Sequence, residues 1–169
     1  MVILVDEKDV PVGTMEKMEA HRKALLHRAF SIFIFNTEKE LLLQQRAHHK
    51  YHSPGLWTNT CCSHPFPGED ALVAANRRLR EEMGMNARLE YLFKFQYKAP
   101  FDNKLTEHEI DYVFVGMADH LPKINPEEVA AYQYKSIDSI KEDLMTEPER
   151  YTAWFRIIFE KFLGKLPVK

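Results

Sequence analysis

Apolar residues alternate with polar ones in short runs along most of this chain, and take helical spacing in only a few places. The opening VILVDEKDVPVGTMEK starts apolar, passes through a charged turn and resumes at Val10, which predicts a hairpin. An irregular or helical piece is expected over residues 17–26. RAFSIFIFNTEKELLLQQR predicts two strands joined at the polar turn Asn36-Thr37-Glu38-Lys39. Residues 29–35 are almost wholly apolar, the pattern of a central strand covered on both faces. AHHKYHSPGLW reads as a loop ended by Pro54-Gly55. Leu72, Leu79 and Met83 recur at spacings of seven and four, with Val73 and Ala75 alongside, and predict the apolar face of a helix over 70–85. Pro67-Gly68 precedes it, Glu69-Asp70 suits a helix start, and Gly84 stands where a stop is expected. Leu89, Tyr91, Phe93, Phe95 and Tyr97 alternate as a strand over 88–98. A loop follows over 100–104, a strong strand over 109–117, a turn over 122–126 and a last strand over 131–135. Helices are expected over 137–144 and 149–163, the second carrying Trp154, Ile157, Ile158 and Phe162. Strands and helices mixed without regular βαβ alternation give the α+β class, a sandwich around a mixed sheet, with one domain across 1–169.

Length and charge narrow the function. A chain of 169 residues can bury a real core, and a net charge of −2 argues against a general nucleic-acid or anionic-membrane binder. No apolar run approaches the roughly 20 residues that span a bilayer. The first residues lack the layout of a secretory signal, and the final Pro-Val-Lys is not a peroxisomal address. Cys61 and Cys62 are adjacent, so their Cα atoms sit about 3.8 Å apart, too close for a structural disulfide. Two reduced thiols point to the cytoplasm.

The stretch from Trp57 to Gly84, WTNTCCSHPFPGEDALVAANRRLREEMG, gathers most of the candidate chemistry. Glu81 and Glu82 share a helical turn, and hard carboxylate oxygens there suit Mg²⁺, which keeps waters and bridges phosphates. Arg77, Leu79, Glu81, Glu82 and Gly84, with Glu69 eight residues before Arg77, resemble the Nudix box over about 63–85. Two positions depart from it: Ser63 stands for its glycine and Arg78 for its first glutamate. An amphipathic helix with a solvated charged face is the plainer alternative. Beyond the helix, Glu107 and Glu109 would share one side of an extended segment, and so would Cys62 and His64. Trp57 reads as structural.

LLHRAFSIFIFN, LLLQQRAHHKYHSPGLWTNTCCSHP and RRLREEMG together resemble type I isopentenyl-diphosphate isomerase, a Nudix-fold enzyme, over about residues 2–154. The resemblance implies an α/β/α sandwich around a mixed sheet. It implies interconversion of isopentenyl and dimethylallyl diphosphate through a carbocation-like intermediate, in isoprenoid precursor biosynthesis. Position by position it implies Cys62, Glu109, Tyr97 and Trp154 as catalytic residues. Lys17, Arg46, Lys50 and Arg78 are the implied diphosphate contacts, with Arg78 a substrate clamp in place of a metal carboxylate. His21, His27, His64, Glu107 and Glu109 are the implied ligands of an Mn²⁺, Zn²⁺ or Fe²⁺ ion, a set whose chemistry suits several metals. Glu82 would hold Mg²⁺ with the diphosphate. Arg46, Lys50 and the ion are expected to lower the pKa of the Cys62 thiol. His48, His49, His52, His108 and His120 are left as ordinary surface or core residues. The partner is a small allylic or homoallylic diphosphate, with no nucleic acid and no membrane, and the chain is expected to be a monomer or weak homodimer. Two other readings stay open: a Nudix hydrolase acting on a nucleoside diphosphate derivative, and a non-catalytic zinc or redox site at Cys61, Cys62 and His64.

Overall fold

A computed structural model describes residues 1–101 and 103–165, apart from the side chains of Lys161 and Phe162. Three of the expectations above therefore lie partly or wholly outside the described residues: Phe162 in the last helix, residue 102 of the 100–104 loop, and the terminal Pro-Val-Lys. The first half runs β1 (Val2–Val5), β2 (Pro11–Met15), α1 (Lys17–Arg22), β3 (His27–Phe35), β4 (Glu40–Arg46), β5 (Trp57–Thr58) and β6 (Cys61–Ser63). The second runs α2 (Ala71–Met83), β7 (Glu90–Pro100), β8 (Thr106–Met117), β9 (Val129–Ser136), α3 (Ile137–Thr146) and α4 (Ala153–Phe162). No helix among the described residues is long and apolar enough to cross a membrane.

The strands form one mixed sheet whose hub is β3. It runs parallel to β8 from His27↔Glu109 to Phe35↔Met117, and antiparallel to β1, β4 and β6. Its continuous apolar run is explained by two covering layers. Phe30, Ile32 and Ile34 pack with Leu42 against Ala71, Ala74, Ala75, Leu79 and Met83 of α2. Phe33 and Phe35 pack with Leu41, Leu43 and Val113 against Ile140 of α3 and Trp154, Phe155, Ile158 and Phe159 of α4. The expected α/β/α sandwich is the observed one.

Helix α2 begins and ends as its sequence indicates. The Asp70 carboxylate accepts from the Leu72 and Val73 N–H groups, and Gly84 closes the helix in the left-handed region at φ 61°. The buried stripe differs from the expected one. It is centred on Ala75 and Glu82, so Leu72 falls on its margin and Val73 on the far side, 38% and 59% exposed. Strand β7 departs as well: a bulge between Tyr91 and Phe93 slips the register on β8. Leu89 packs in the α2 layer and Tyr91 lies beside Tyr112 and Phe114, while Phe93, Phe95 and Tyr97 turn to the α4 layer. The expected final helix is shorter at its start, because Pro148–Arg150 is a 3-10 turn and Thr152 caps α4.

One local arrangement positions the site. β3 and β4 pair only at Phe35↔Leu41 and then diverge, leaving a wedge with unpaired backbone groups. β5 fills it from the β4 side and β6 from the β3 side, with Cys62 opposite Ser31. Between them, buried side chains replace ladder bonds. Thr60 Oγ1 accepts from the Ile34 N–H at 2.9 Å and donates to the Leu42 carbonyl at 2.7 Å. Asn59 Nδ2 donates to the Ile32 and Cys61 carbonyls, and Gln44 Nε2 to the Thr60 carbonyl. The two cysteines consequently diverge: Cys61 is buried in the α2 layer, and Cys62 packs toward the α4 layer.

Candidate active site

The α4-side face of β3 and β8 changes character along its length. Phe33, Phe35 and Val113 are core, whereas nearer the strand starts that face carries His27, Ala29 and Ser31 beside Glu107, Glu109 and Asp111. Small Ala29 and Ser31 leave a cavity there. It is lined by β6 through Cys62 and by β8 through Glu109, strands that pair with opposite edges of β3.

Three imidazoles converge on one carboxylate. His64 Nε2, His27 Nε2 and His21 Nε2 lie 2.9, 3.2 and 3.8 Å from Glu109 Oε1. His21 Nδ1 donates to the Lys17 carbonyl at 2.6 Å and His27 Nδ1 to the Leu25 carbonyl at 2.8 Å. A carbonyl only accepts, so both Nδ1 atoms carry the proton and both Nε2 atoms present lone pairs. Those Nε2 atoms are buried and have no hydrogen-bond partner. Lone pairs aimed at a carboxylate repel it unless a cation lies between them, so the residues fit a divalent ion. Burial holds the His64 imidazole down to about 3 and lowers His21, which keeps both neutral as ligands must be. Four of the five expected ligands form this group; Glu107 falls in an adjoining group with His21 and His52.

Glu107 and Glu109 are joined through a phenol. Tyr97 O–H lies 2.8 Å from Glu107 Oε2 and 2.7 Å from Glu109 Oε2. One hydroxyl proton cannot serve both contacts, so a carboxyl must carry a second. Burial, then the Glu109 charge, push Glu107 well up. Burial also works to raise Glu109, but the hydrogen bond from His64 and the neighbouring imidazoles outweigh it and hold Glu109 well below the usual range. The proton therefore rests on Glu107. The Cys62 thiol differs from expectation: burial pushes it well up, and the opposing pull of Arg46 does not compensate, with Glu82, Glu107 and Asp111 adding to the rise. Burial therefore favours the Cys62 thiol over the thiolate.

At the mouth, Lys17, Arg46, Lys50 and Arg78 line the same cavity. Burial lowers the Lys17 ammonium, and the charges of Lys50 and Arg46 lower it further, as expected of like charges facing one another. Arg78 pairs with Glu82 at 2.5 Å and Glu128 at 3.2 Å, and Lys50 pairs with Glu128. Arg46 lies over the Trp154 ring at 5.3 Å, which shows an indole face receiving positive charge.

Among solved structures, a Deinococcus radiodurans protein superposes with a TM-score of 0.78 over 95% of this chain and 98% of that one, at 19% identity. A MutT protein from Methanosarcina mazei gives 0.68 over 83% and 94%, at 22% identity. These are likenesses of fold. A family model of the NUDIX domain matches residues 25–155. The isopentenyl-diphosphate Delta-isomerase of Pectobacterium atrosepticum is 55% identical over 160 residues, 95% of this chain and 89% of that protein. That of Serratia proteamaculans is 48% identical over the same shares. The chain is a Nudix protein of the isopentenyl-diphosphate Delta-isomerase family.

For this family member the Nudix box divides into a structural and a site-facing half. Arg77 clamps Glu69 through two hydrogen bonds of 2.8 and 2.9 Å and stacks on Phe66, tying the approach loop to α2. Glu82 is 5% exposed on the inner side, where Gln44 and Arg78 both donate to it. Among the residues of this Nudix cavity that the expected site set lacks are His52, Glu128 and Asp111. His52, left as ordinary, is 6% exposed, with burial and Arg46 holding its imidazole down to about 2. Glu128 sits after the 122–126 turn, and Asp111 continues the Glu107, Glu109 alternation on β8. Only Asp111 had a signal, the two-residue spacing itself.

Proposed function

We propose that this chain interconverts isopentenyl and dimethylallyl diphosphate, working as one domain on a small diphosphate substrate in the cytoplasm. The observation that carries the reading is the placement of Cys62 and Glu109, on strands flanking opposite edges of β3, across a floor of Ala29 and Ser31. A C5 unit lying on that floor meets a thiol at one end and a carboxylate at the other. Moving a double bond by one position needs a proton added at one carbon and another removed two carbons away, with a tertiary cation between. Cys62 and Glu109 exchange these protons, and the shared proton of Glu107 and Tyr97 resets Glu109. Because the reaction is reversible, each end serves as acid in one direction and base in the other.

The intermediate is trapped by any water within reach, so the cavity must be dry and must offer charge without a nucleophile. Trp154, 3% exposed, supplies an indole face worth about 2 kcal/mol to a desolvated cation. Lys17, Arg46, Lys50 and Arg78 hold the diphosphate, with Mg²⁺ brought by it and held at Glu82. His21, His27, His64 and Glu109, with Glu107 adjoining, would hold an Mn²⁺, Zn²⁺ or Fe²⁺ ion, which would supply positive charge that fixes Glu109. Arg78 speaks against hydrolysis, since it neutralises the carboxylates a multi-metal hydrolytic centre needs.

The test is incubation of the pure protein with isopentenyl diphosphate and divalent ions in heavy water. Deuterium should enter both C5 diphosphates, and Cys62→Ala and Glu109→Gln should each lower kcat at least 10³-fold with the fold intact, about 4 kcal/mol in the barrier. Normal turnover by Cys62→Ala, or release of phosphate in place of isomer, would sink the reading.

A further inference from the structure

His52 comes from the loop between β4 and β5, yet it stands between the two halves of the cavity. The loop turns back through positive φ at Ser53 and Gly55, and Arg46 Nη2 then reaches both His52 Nδ1 and the His52 carbonyl, each at 3.2 Å. Three rings fix the imidazole. Phe101 lies parallel to it at 5.4 Å and 11°, Trp154 edge-on at 5.7 Å, and Tyr51 edge-on at 4.4 Å. That packing sets the plane of the ring, and its Nε2 faces Glu107 Oε1 at 3.5 Å.

The proton on this ring follows from its neighbours. A guanidinium only donates and stays charged, so Nδ1 must accept from Arg46 and the neutral ring carries its hydrogen on Nε2. That hydrogen points at a carboxyl. Although His52 lies close enough to His21 and Glu107 to complete a ligand trio, an Nε2 bearing hydrogen has no lone pair for a metal. Its partner is Glu107, whose other oxygen contacts Tyr97, which in turn contacts Glu109.

We propose that His52 is a positioning residue that takes a hydrogen bond from Arg46 and turns its own N–H onto Glu107, linking the diphosphate arm to the hydrogen-bonded row Glu107–Tyr97–Glu109. This rests on the isomerase reading above. When a diphosphate draws Arg46 into place, the 3.5 Å separation closes to a hydrogen bond and the Glu107 side chain, with Tyr97 and Glu109 behind it, is held in position; such contacts commonly tighten only in the substrate complex. The cost of losing the link falls on kcat, because the diphosphate keeps its cations.

Two measurements test it. Long-range proton–nitrogen NMR on the ¹⁵N-labelled wild type, with His52 assigned by its loss in His52→Gln, should show Nδ1 bare and Nε2 protonated. A proton on Nδ1 overturns the proposal whether or not any variant folds. His52→Asn keeps an acceptor for Arg46 but cannot reach Glu107; its kcat for isopentenyl diphosphate should fall about 10- to 100-fold with KM moved less than threefold. His52→Gln places a donor near the Nε2 position and should recover most of that loss. Equal activity of the Asn variant and wild type, no advantage of Gln over Asn, or a raised KM at unchanged kcat each overturns it. Failure here with an inactive Cys62→Ala leaves the isomerase reading standing. An active Cys62→Ala removes that reading while the tautomer result still stands.

Discussion

Removing divalent ions should loosen this protein by an amount the histidine cluster sets. In the ion-free state two buried imidazole lone pairs face the Glu109 carboxylate at 3.2 and 3.8 Å with nothing to satisfy them. An ion that binds this folded cluster and not the unfolded chain stabilises by RT ln(1 + [ion]/Kd), about 2.7 kcal/mol at a hundredfold excess over Kd. For a chain of this length roughly 2–4 °C of melting temperature accompanies each kcal/mol, so Tm should rise by about 5–11 °C. The assay is a circular-dichroism melt of protein stripped with EDTA and dialysed, with and without added Mn²⁺. His27→Gln removes one lone pair and should melt at nearly the same temperature in both conditions. Its ion-free form should lose little stability, because the substitution also removes a repulsive contact. A wild type whose Tm ignores saturating Mn²⁺, or a His27→Gln variant that gains as much as the wild type, would refute the cluster as a cation site.

Three further outcomes concern the frame. Thr60→Val keeps the shape but orphans the Ile34 N–H and the Leu42 carbonyl in a fully buried wedge, at about 1–3 kcal/mol each. Urea unfolding should show a loss of about 3 kcal/mol; a change below about 0.5 would deny the side chain its place in the sheet. Asp9, in the β1–β2 turn, accepts from Arg28, Lys94 and Tyr112; burial works to raise its carboxyl, but these partners outweigh it and lower the pKa below 3.8. A lowered folded pKa stabilises above the unfolded value and is lost as pH falls through the folded one. Wild type should therefore exceed Asp9→Asn by about 2 kcal/mol at pH 6, with the gap closing below pH 4; a constant gap would contradict the assignment. A methyl group at Gly84 would lie 2.4 Å from the Lys123 carbonyl oxygen at φ 61°, so Gly84→Ala should cost about 3 kcal/mol in the same urea assay, and an unchanged midpoint would be inconsistent with that contact.

Where local pattern decides structure, the sequence was readable. The apolar run over 29–35 could only be a strand covered on both faces, and Asp70 and Gly84 mark the ends of α2 to within a residue. Pattern failed where packing chose between near-equal options. Small alanines rotated the buried stripe of α2 off Leu72, and a bulge swapped faces halfway along β7. In the site, pairs at two-residue spacing on or beside strands were legible: Glu107 with Glu109, and Cys62 with His64. His52 and Glu128 arrive from loops whose paths no periodicity encodes. Their roles depend on Arg46, Lys50 and Arg78 being close in space, which sequence separation hides. The resemblance carried the remaining assignments, and it is silent on both of these residues.

On the proposed reading, this cavity also differs from a hydrolytic Nudix centre. A Nudix helix places carboxylates on one turn so that metal and diphosphate meet there. In this chain Arg78 occupies that turn and pairs with Glu81, Glu82 and Glu128, so the charge beside the diphosphate is partly organic and fixed. A guanidinium orients phosphate oxygens without activating a water against phosphorus. Meanwhile the second cluster, His21, His27, His64 and Glu109, comes from α1, β3, the residue after β6, and β8, with side chains 0–13% exposed. Burial there raises both the Cys62 thiol and the Glu107 carboxyl, which favours the protonated forms that the proposed proton transfers to carbon require.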